Sequence, residues 1–143
     1  MVAGDPSGSK TRRIIRQTYM YEISVDEEFA AAHNLRGYKG KCEDLHGHNY
    51  KVRVTVAGPE LDSVGLLCDF VHLKKAIRDV IRVLDHKYLN ELSPFDVRNP
   101  SAENIARYIY DETSKQMPPQ ANGAGVASVT VWETDSSFAM YRP

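Results

Sequence analysis

Alternation of apolar and polar positions is cleanest over Tyr50-Lys-Val-Arg-Val-Thr-Val56, which sends Tyr50, Val52, Val54 and Val56 to one face and Lys51, Arg53 and Thr55 to the other. A period of two is the mark of a half-buried strand. Upstream, Tyr19, Tyr21, Ile23 and Val25 alternate in the same way. After the acidic interruption Asp26-Glu27-Glu28 the run FAAAHNL resumes, which predicts one or two strands with a bulge or turn between them.

Gly58-Pro59 closes the central strand. Asp69 then offers an N-cap to a helix whose apolar stripe, Phe70, Leu73, Ile77, Val80 and Leu84, runs for about four turns. A second helix is predicted from Ser101 as N-cap, with Glu103 in the first turn, where the helix dipole favours it. Ile105, Tyr108 and Ile109 share one face of that helix, and it ends before Pro118-Pro119. The Gly-bearing loop 120–125 leads into an alternating strand over 127–134, and 138–141 predicts a last short strand.

Strands, helix, helix, strands in that order predict an α+β domain, with an antiparallel sheet of about four strands and two helices on one face. Such a sheet has two open edges, which favours pairing with other subunits. Residues 1–13 are small, polar and basic without periodicity and read as a flexible tail; residues 14–143 form the single domain. At 143 residues the chain is large enough to bury a sizeable core.

Charge and composition narrow the functional classes. The net charge of −1 gives no global footprint for nucleic acid or an anionic membrane. No apolar run approaches the ~20 residues that span a bilayer, and the first residues lack an export signal, so a cytoplasmic location is the default expectation. Cys42 and Cys68 then read as reduced thiols rather than a disulfide framework.

The candidate chemistry is concentrated in KCEDLHGHNYKV, residues 41–52. Extended backwards, the register of the central strand puts His46 and His48 on the same face as Tyr50 and Val52, about 7 Å apart at Cα. If FAAAH is also extended, His33 shares a face with Phe29 and Ala31. Three imidazoles would bind zinc through neutral nitrogen and leave a fourth position open, as catalytic zinc sites do. A lone strand histidine is more often a hydrogen-bonded core residue, but the H-G-H pair shifts the balance towards a metal.

Other residues carry competing readings. Cys42 is a fourth zinc ligand, a base or nucleophile beside the metal, or a small buried hydrophobe. Cys68, in an apolar run, is read as core. Asp85-His86, after the first helix stripe, is either a carboxylate orienting an imidazole for proton transfer or a histidine favoured by the helix C-terminus. His72 lies between stripe positions and is expected in solvent. Glu133 shares register with Val129 and Val131 and so falls on the apolar face. There its carboxylate needs a cation or a ligand with adjacent N–H donors, unless it turns out to solvent at the strand end.

FAAAHNL, CEDLHGHNYKVRVTVAG, GLLCDF, LDHKYLN, PSAEN and VWET, in this order over residues 29–134, resemble the family of 6-pyruvoyltetrahydropterin and 6-carboxytetrahydropterin synthases. The resemblance implies the tunnelling fold, in which subunit sheets join into a barrel, commonly a homohexamer with active sites between subunits. It implies zinc on His33, His46 and His48, Cys42 as catalytic base, Asp85 and His86 as proton relay, and Glu133 as anchor of the pterin ring. With the pocket between subunits, Ser101 would approach a neighbouring subunit's ligand. The spacing C-x3-H-G-H resembles the bacterial carboxy branch, which converts 7,8-dihydroneopterin triphosphate to 6-carboxytetrahydropterin with release of acetaldehyde and triphosphate, towards queuosine and deazapurines. The pyruvoyl branch, and a zinc or pterin binder without turnover, are the alternatives. Arg36, Lys39 and Lys41 are candidates for the triphosphate.

Overall fold

A computed structural model describes residues 21–143. The expected tail at 1–13 and the alternating Tyr19 lie outside the described residues. Strand β1 spans Tyr21–His33 and strand β2 His46–Gly58, and they pair antiparallel along their whole length from Tyr21 opposite Gly58 to His33 opposite His46.

The acidic triplet does not interrupt β1, because each carboxylate has somewhere to go. Asp26, on the outer face, takes two hydrogen bonds from Arg53 at 2.7 and 2.9 Å. Glu27 turns towards the helix layer and accepts from Arg78 at 2.9 Å, while Glu28 stays exposed on the outer face. The predicted bulge or turn is therefore absent, and β1 is one continuous strand of 13 residues.

Helix α1 covers Phe70–Arg82, with the Asp69 carboxylate accepting from the Val71 N–H. Its buried positions are Leu73, Ala76, Ile77, Val80 and Ile81, an i, i+3, i+4 pattern; Leu84 is buried just beyond the helix end. Phe70 is half exposed, so the packed stripe begins one turn later than its spacing suggested. Helix α2 covers Ala102–Gln116, Ser101 Oγ accepting from the Asn104 N–H as expected of an N-cap. Both helices cover the face that carries Val25, Phe29, Tyr50, Val52, Val54, Val129 and Val131, and together these residues form one core.

Two strands complete the sheet on the β2 side, β4 (Gly125–Thr134) beside β2 and β5 (Ser137–Tyr141) on the edge. A fifth element, β3 (Lys87–Tyr88), pairs parallel with Ala31 and Ala32 on the opposite edge, giving the order β3-β1-β2-β4-β5. The sheet is thus mixed and five-stranded, where four antiparallel strands were expected. Two residues are too short to show a period, and β3 is held instead by the turn before it. The His86 N–H donates to the Ala30 carbonyl at 2.6 Å and Asp85 Oδ1 accepts from the Ala30 N–H at 3.0 Å. No described helix is long and apolar enough to cross a membrane.

Candidate metal centre

The β1–β2 ladder brings the three histidines together. His33 and His46 are cross-strand partners at the last rung, and His48 stands two residues along β2 on the same face. Their ring centroids lie 4.5 to 5.1 Å apart, and the nearest ring nitrogens all fall within 4.8 Å of one another.

Hydrogen bonds behind the rings set their tautomers. His33 Nδ1 is 2.7 Å from the Pro100 carbonyl and His46 Nδ1 is 2.7 Å from the Asp44 carbonyl. A carbonyl only accepts, so each Nδ1 carries the proton and each Nε2 of a neutral ring presents a lone pair. Those two Nε2 atoms face each other across 2.9 Å. Two lone pairs at that distance repel, and an electron-pair acceptor between them removes the conflict. His48 Nε2 is buried with no hydrogen-bond partner among the described residues. Two Nε2 lone pairs oriented in this way, with the unpartnered His48 Nε2 beside them, fit zinc, which takes neutral imidazole nitrogen at ~2.0–2.1 Å.

Burial acts in the same direction. His33 is 1% exposed, and desolvation holds its pKa below the ordinary histidine value, against the opposing effects of the Pro100 carbonyl and Glu133. Burial likewise lowers His48, with Glu133 opposing. Rings that stay neutral are ready to ligate.

Glu133 lies beside this cluster. The β4–β5 register shifts between Trp132 and Thr134, and the Glu133 carboxylate oxygens sit 3.9 Å from His33 Nε2 and 3.9 Å from His48 Nε2. The carboxylate thus turns towards the imidazoles rather than out to solvent at the strand end, as its register suggested. Glu133 also lines a recess of about 230 Å³ with Ser101 and Glu103 of the same chain. Ser101 thus opens onto the same recess as Glu133 of its own chain, and Glu103, read from sequence only as a helix-dipole residue, adds a second carboxylate to it.

The remaining candidates are not gathered at the imidazoles. Cys42 sits half-buried in a 3-10 turn, Lys41–Glu43, and the convergent set is three histidines without it, so the fourth-ligand reading finds no geometric support. Asp85 and His86 do pair, Oδ1 to Nδ1 at 2.9 Å. They lie beyond the end of α1, with His86 at φ 57°, in the left-handed region. The Ala30 N–H, then His86, holds the Asp85 carboxyl below its ordinary range. The His86 side chain is 81% exposed and shares an open recess with His48, Asn49 and Tyr88.

Cys68 is buried, and desolvation, followed by Asp69, raises its thiol pKa, as an inert core residue requires. His72 is exposed. Of the triphosphate candidates, Arg36 donates to the Phe95 carbonyl at 2.9 Å, while Lys39 and Lys41 are exposed on the loop that carries Cys42.

Comparison with known proteins agrees with this arrangement. The family described as 6-pyruvoyl tetrahydropterin synthase matches residues 22–143. A 6-carboxy-5,6,7,8-tetrahydropterin synthase of Bacillus subtilis is 36% identical over 130 residues, covering 87% of this chain and 87% of that protein. The human 6-pyruvoyl tetrahydrobiopterin synthase is 39% identical over 109 residues, 72% of this chain and 71% of that one. The solved Caenorhabditis elegans 6-pyruvoyl tetrahydropterin synthase superposes with a TM-score of 0.74 at 26% identity, covering 88% of this chain and 99% of its own. This chain belongs to the 6-pyruvoyl tetrahydropterin synthase family.

Proposed function

We propose that this protein is a zinc-dependent 6-carboxy-5,6,7,8-tetrahydropterin synthase, a lyase that converts 7,8-dihydroneopterin triphosphate and one water to 6-carboxytetrahydropterin with release of acetaldehyde and triphosphate, on the route to queuosine and deazapurines. The observation that carries the reading is the convergence of the His33, His46 and His48 nitrogens within 4.8 Å, with the His33 and His46 lone pairs turned inwards by backbone carbonyls. Zinc held there would supply Lewis-acid stabilisation of the negative charge that develops as protons leave carbons of the substrate side chain.

The chain's own groups divide the remaining work. Cys42, as thiolate, takes the proton. Asp85, ionised because two donors hold its carboxylate, keeps His86 oriented, and His86 returns the proton. Glu133 accepts from the adjacent N–H donors of the pterin ring, with Ser101 beside it in the recess. The carboxy branch is favoured by the C-x3-H-G-H spacing and by the Bacillus subtilis relative's coverage.

In the 6-pyruvoyl alternative, elimination of triphosphate leaves the carbon side chain intact. Incubating purified protein with 7,8-dihydroneopterin triphosphate and assaying acetaldehyde separates the readings. Acetaldehyde supports the carboxy synthase, triphosphate without acetaldehyde the pyruvoyl synthase, and neither product a binder without turnover.

The same reading includes a homohexamer in the cytoplasm, with active sites between subunits and no nucleic acid or membrane partner. The open β5 edge, with Phe138 and Met140 exposed, supports assembly, and sedimentation velocity tests it.

A further inference from the structure

The chain that leaves β1 after His33 has no strand partner on its far side, yet its backbone groups are paired by asparagines. Asn90 accepts from the Asn34 N–H at 3.0 Å and donates to the Asn34 carbonyl at 2.9 Å. Two residues on, Asn99 accepts from the Arg36 N–H at 3.0 Å and donates to the Arg36 carbonyl at 2.9 Å. Side-chain amides thus stand in for a neighbouring strand at alternate residues, and the second of them is followed directly by Pro100.

Pro100 is the residue whose carbonyl receives the His33 proton, and it is fixed from both sides. The Asn104 side chain donates to the Asn99 carbonyl at 2.9 Å, and the Asn104 N–H donates to Ser101 Oγ at 3.2 Å. The Pro100 ring locks its own φ. The buried Pro100 carbonyl is therefore held between two anchors on α2 and one on the strand exit. Its aim decides which His33 nitrogen bears the proton and where the other points.

We propose that Asn104 and Asn99 are positioning residues of the metal centre: their clamp aims the Pro100 carbonyl at His33 Nδ1 and so turns the His33 Nε2 lone pair towards a divalent cation. The inference rests on the metal reading above and extends it to residues that touch neither cation nor substrate.

The test compares Asn104→Asp with Asn122→Ala. Aspartate at position 104 keeps the backbone N–H and suits the first turn of a helix, but replaces the donor facing the Asn99 carbonyl with an acceptor. Asn122 bonds the Glu60 and Leu67 carbonyls at 3.1 and 3.0 Å, at the Gly58 end of the sheet, so its loss destabilises the fold away from the histidines. The readouts are the zinc dissociation constant by chelator competition, the visible bands of the Co2+-loaded protein, and Tm.

Asn104→Asp is expected to weaken zinc binding about 10–100-fold and to shift the Co2+ bands. Asn122→Ala is expected to lower Tm with the zinc constant unchanged. An Asn104→Asp protein with wild-type zinc affinity and Co2+ bands overturns the clamp while the three-histidine site stands. Wild-type protein that takes up no stoichiometric Zn2+ or Co2+ overturns both.

Discussion

The three histidines and the Cys42–Asp85–His86 group differ in how their geometry is fixed. The histidines sit on a continuous antiparallel ladder, two of them with tautomers set by carbonyls, and converge within a single chain. Cys42 is on a loop between strands, and the Asp85–His86 pair projects into solvent at the β3 edge. The three convergent imidazoles come from one chain, while Cys42 is not among them and Asp85–His86 lies at the sheet edge. A site between subunits, as proposed above, is one way to supply the missing approach.

Substitutions can break this comparison, and the largest effect is expected at the ladder. His46→Ala removes one of the two nitrogens that face each other at 2.9 Å, so elemental analysis should show metal lost and acetaldehyde formation abolished. Full metal occupancy in that variant would sink the three-histidine site.

Cys42→Ala should do the reverse, keeping stoichiometric zinc while turnover falls by about 10²–10⁴, the usual contribution of a positioned base. Zinc lost together with the thiol would make Cys42 a ligand and erase the distinction between the two groups. Glu133→Gln removes charge-assisted acceptance from the ring and should raise KM about 10–100-fold, given 1.5–3 kcal/mol for hydrogen bonds to charged groups. Glu103→Gln is the comparator from the same recess, and an unchanged KM for Glu133→Gln with a raised one for Glu103→Gln would exchange their roles.

The smallest effect is in stability against pH for the metal-free protein. Burial lowers the folded-state pKa of His33 and His48 below 6.5, so between that lowered value and about 6.5 the unfolded chain binds more protons. Stability should therefore be fully present above about pH 6.5 and decline as the solution is acidified through that window. Thermal melts of apo wild type and apo His48→Gln can be compared, the variant showing the shallower decline.

Much of this was legible in the sequence because a period of two carries both fold and site. The alternation over Tyr50–Val56, extended back to His46, assigns a face to each imidazole, and the cross-strand position of His33 follows once β1 is continuous. The same pattern could not show that continuity. Asp26, Glu27 and Glu28 look like a break until their partners Arg53 and Arg78 are seen, and Arg78 is 51 residues from Glu27. The two residues of β3 are below the length at which any period exists. The carbonyls of Pro100 and Asp44 have no side-chain signature at all, so the groups that orient the imidazoles could be read only from coordinates.

Placing His33 and His46 at the last rung of the β1–β2 ladder also sets which changes in chain length the site can absorb. An insertion of one residue inside β2, between His48 and Tyr50, would put both histidines out of phase with the core strand, because neighbours in a strand point to opposite faces. An insertion between Gly37 and Gly40 leaves every rung, the Arg36–Asn99 pair and the Asp44 carbonyl in place and moves the thiol relative to them. The connecting loop can therefore drift in length there, and the position of its cysteine with it, while the histidine-bearing end of the sheet stays constant.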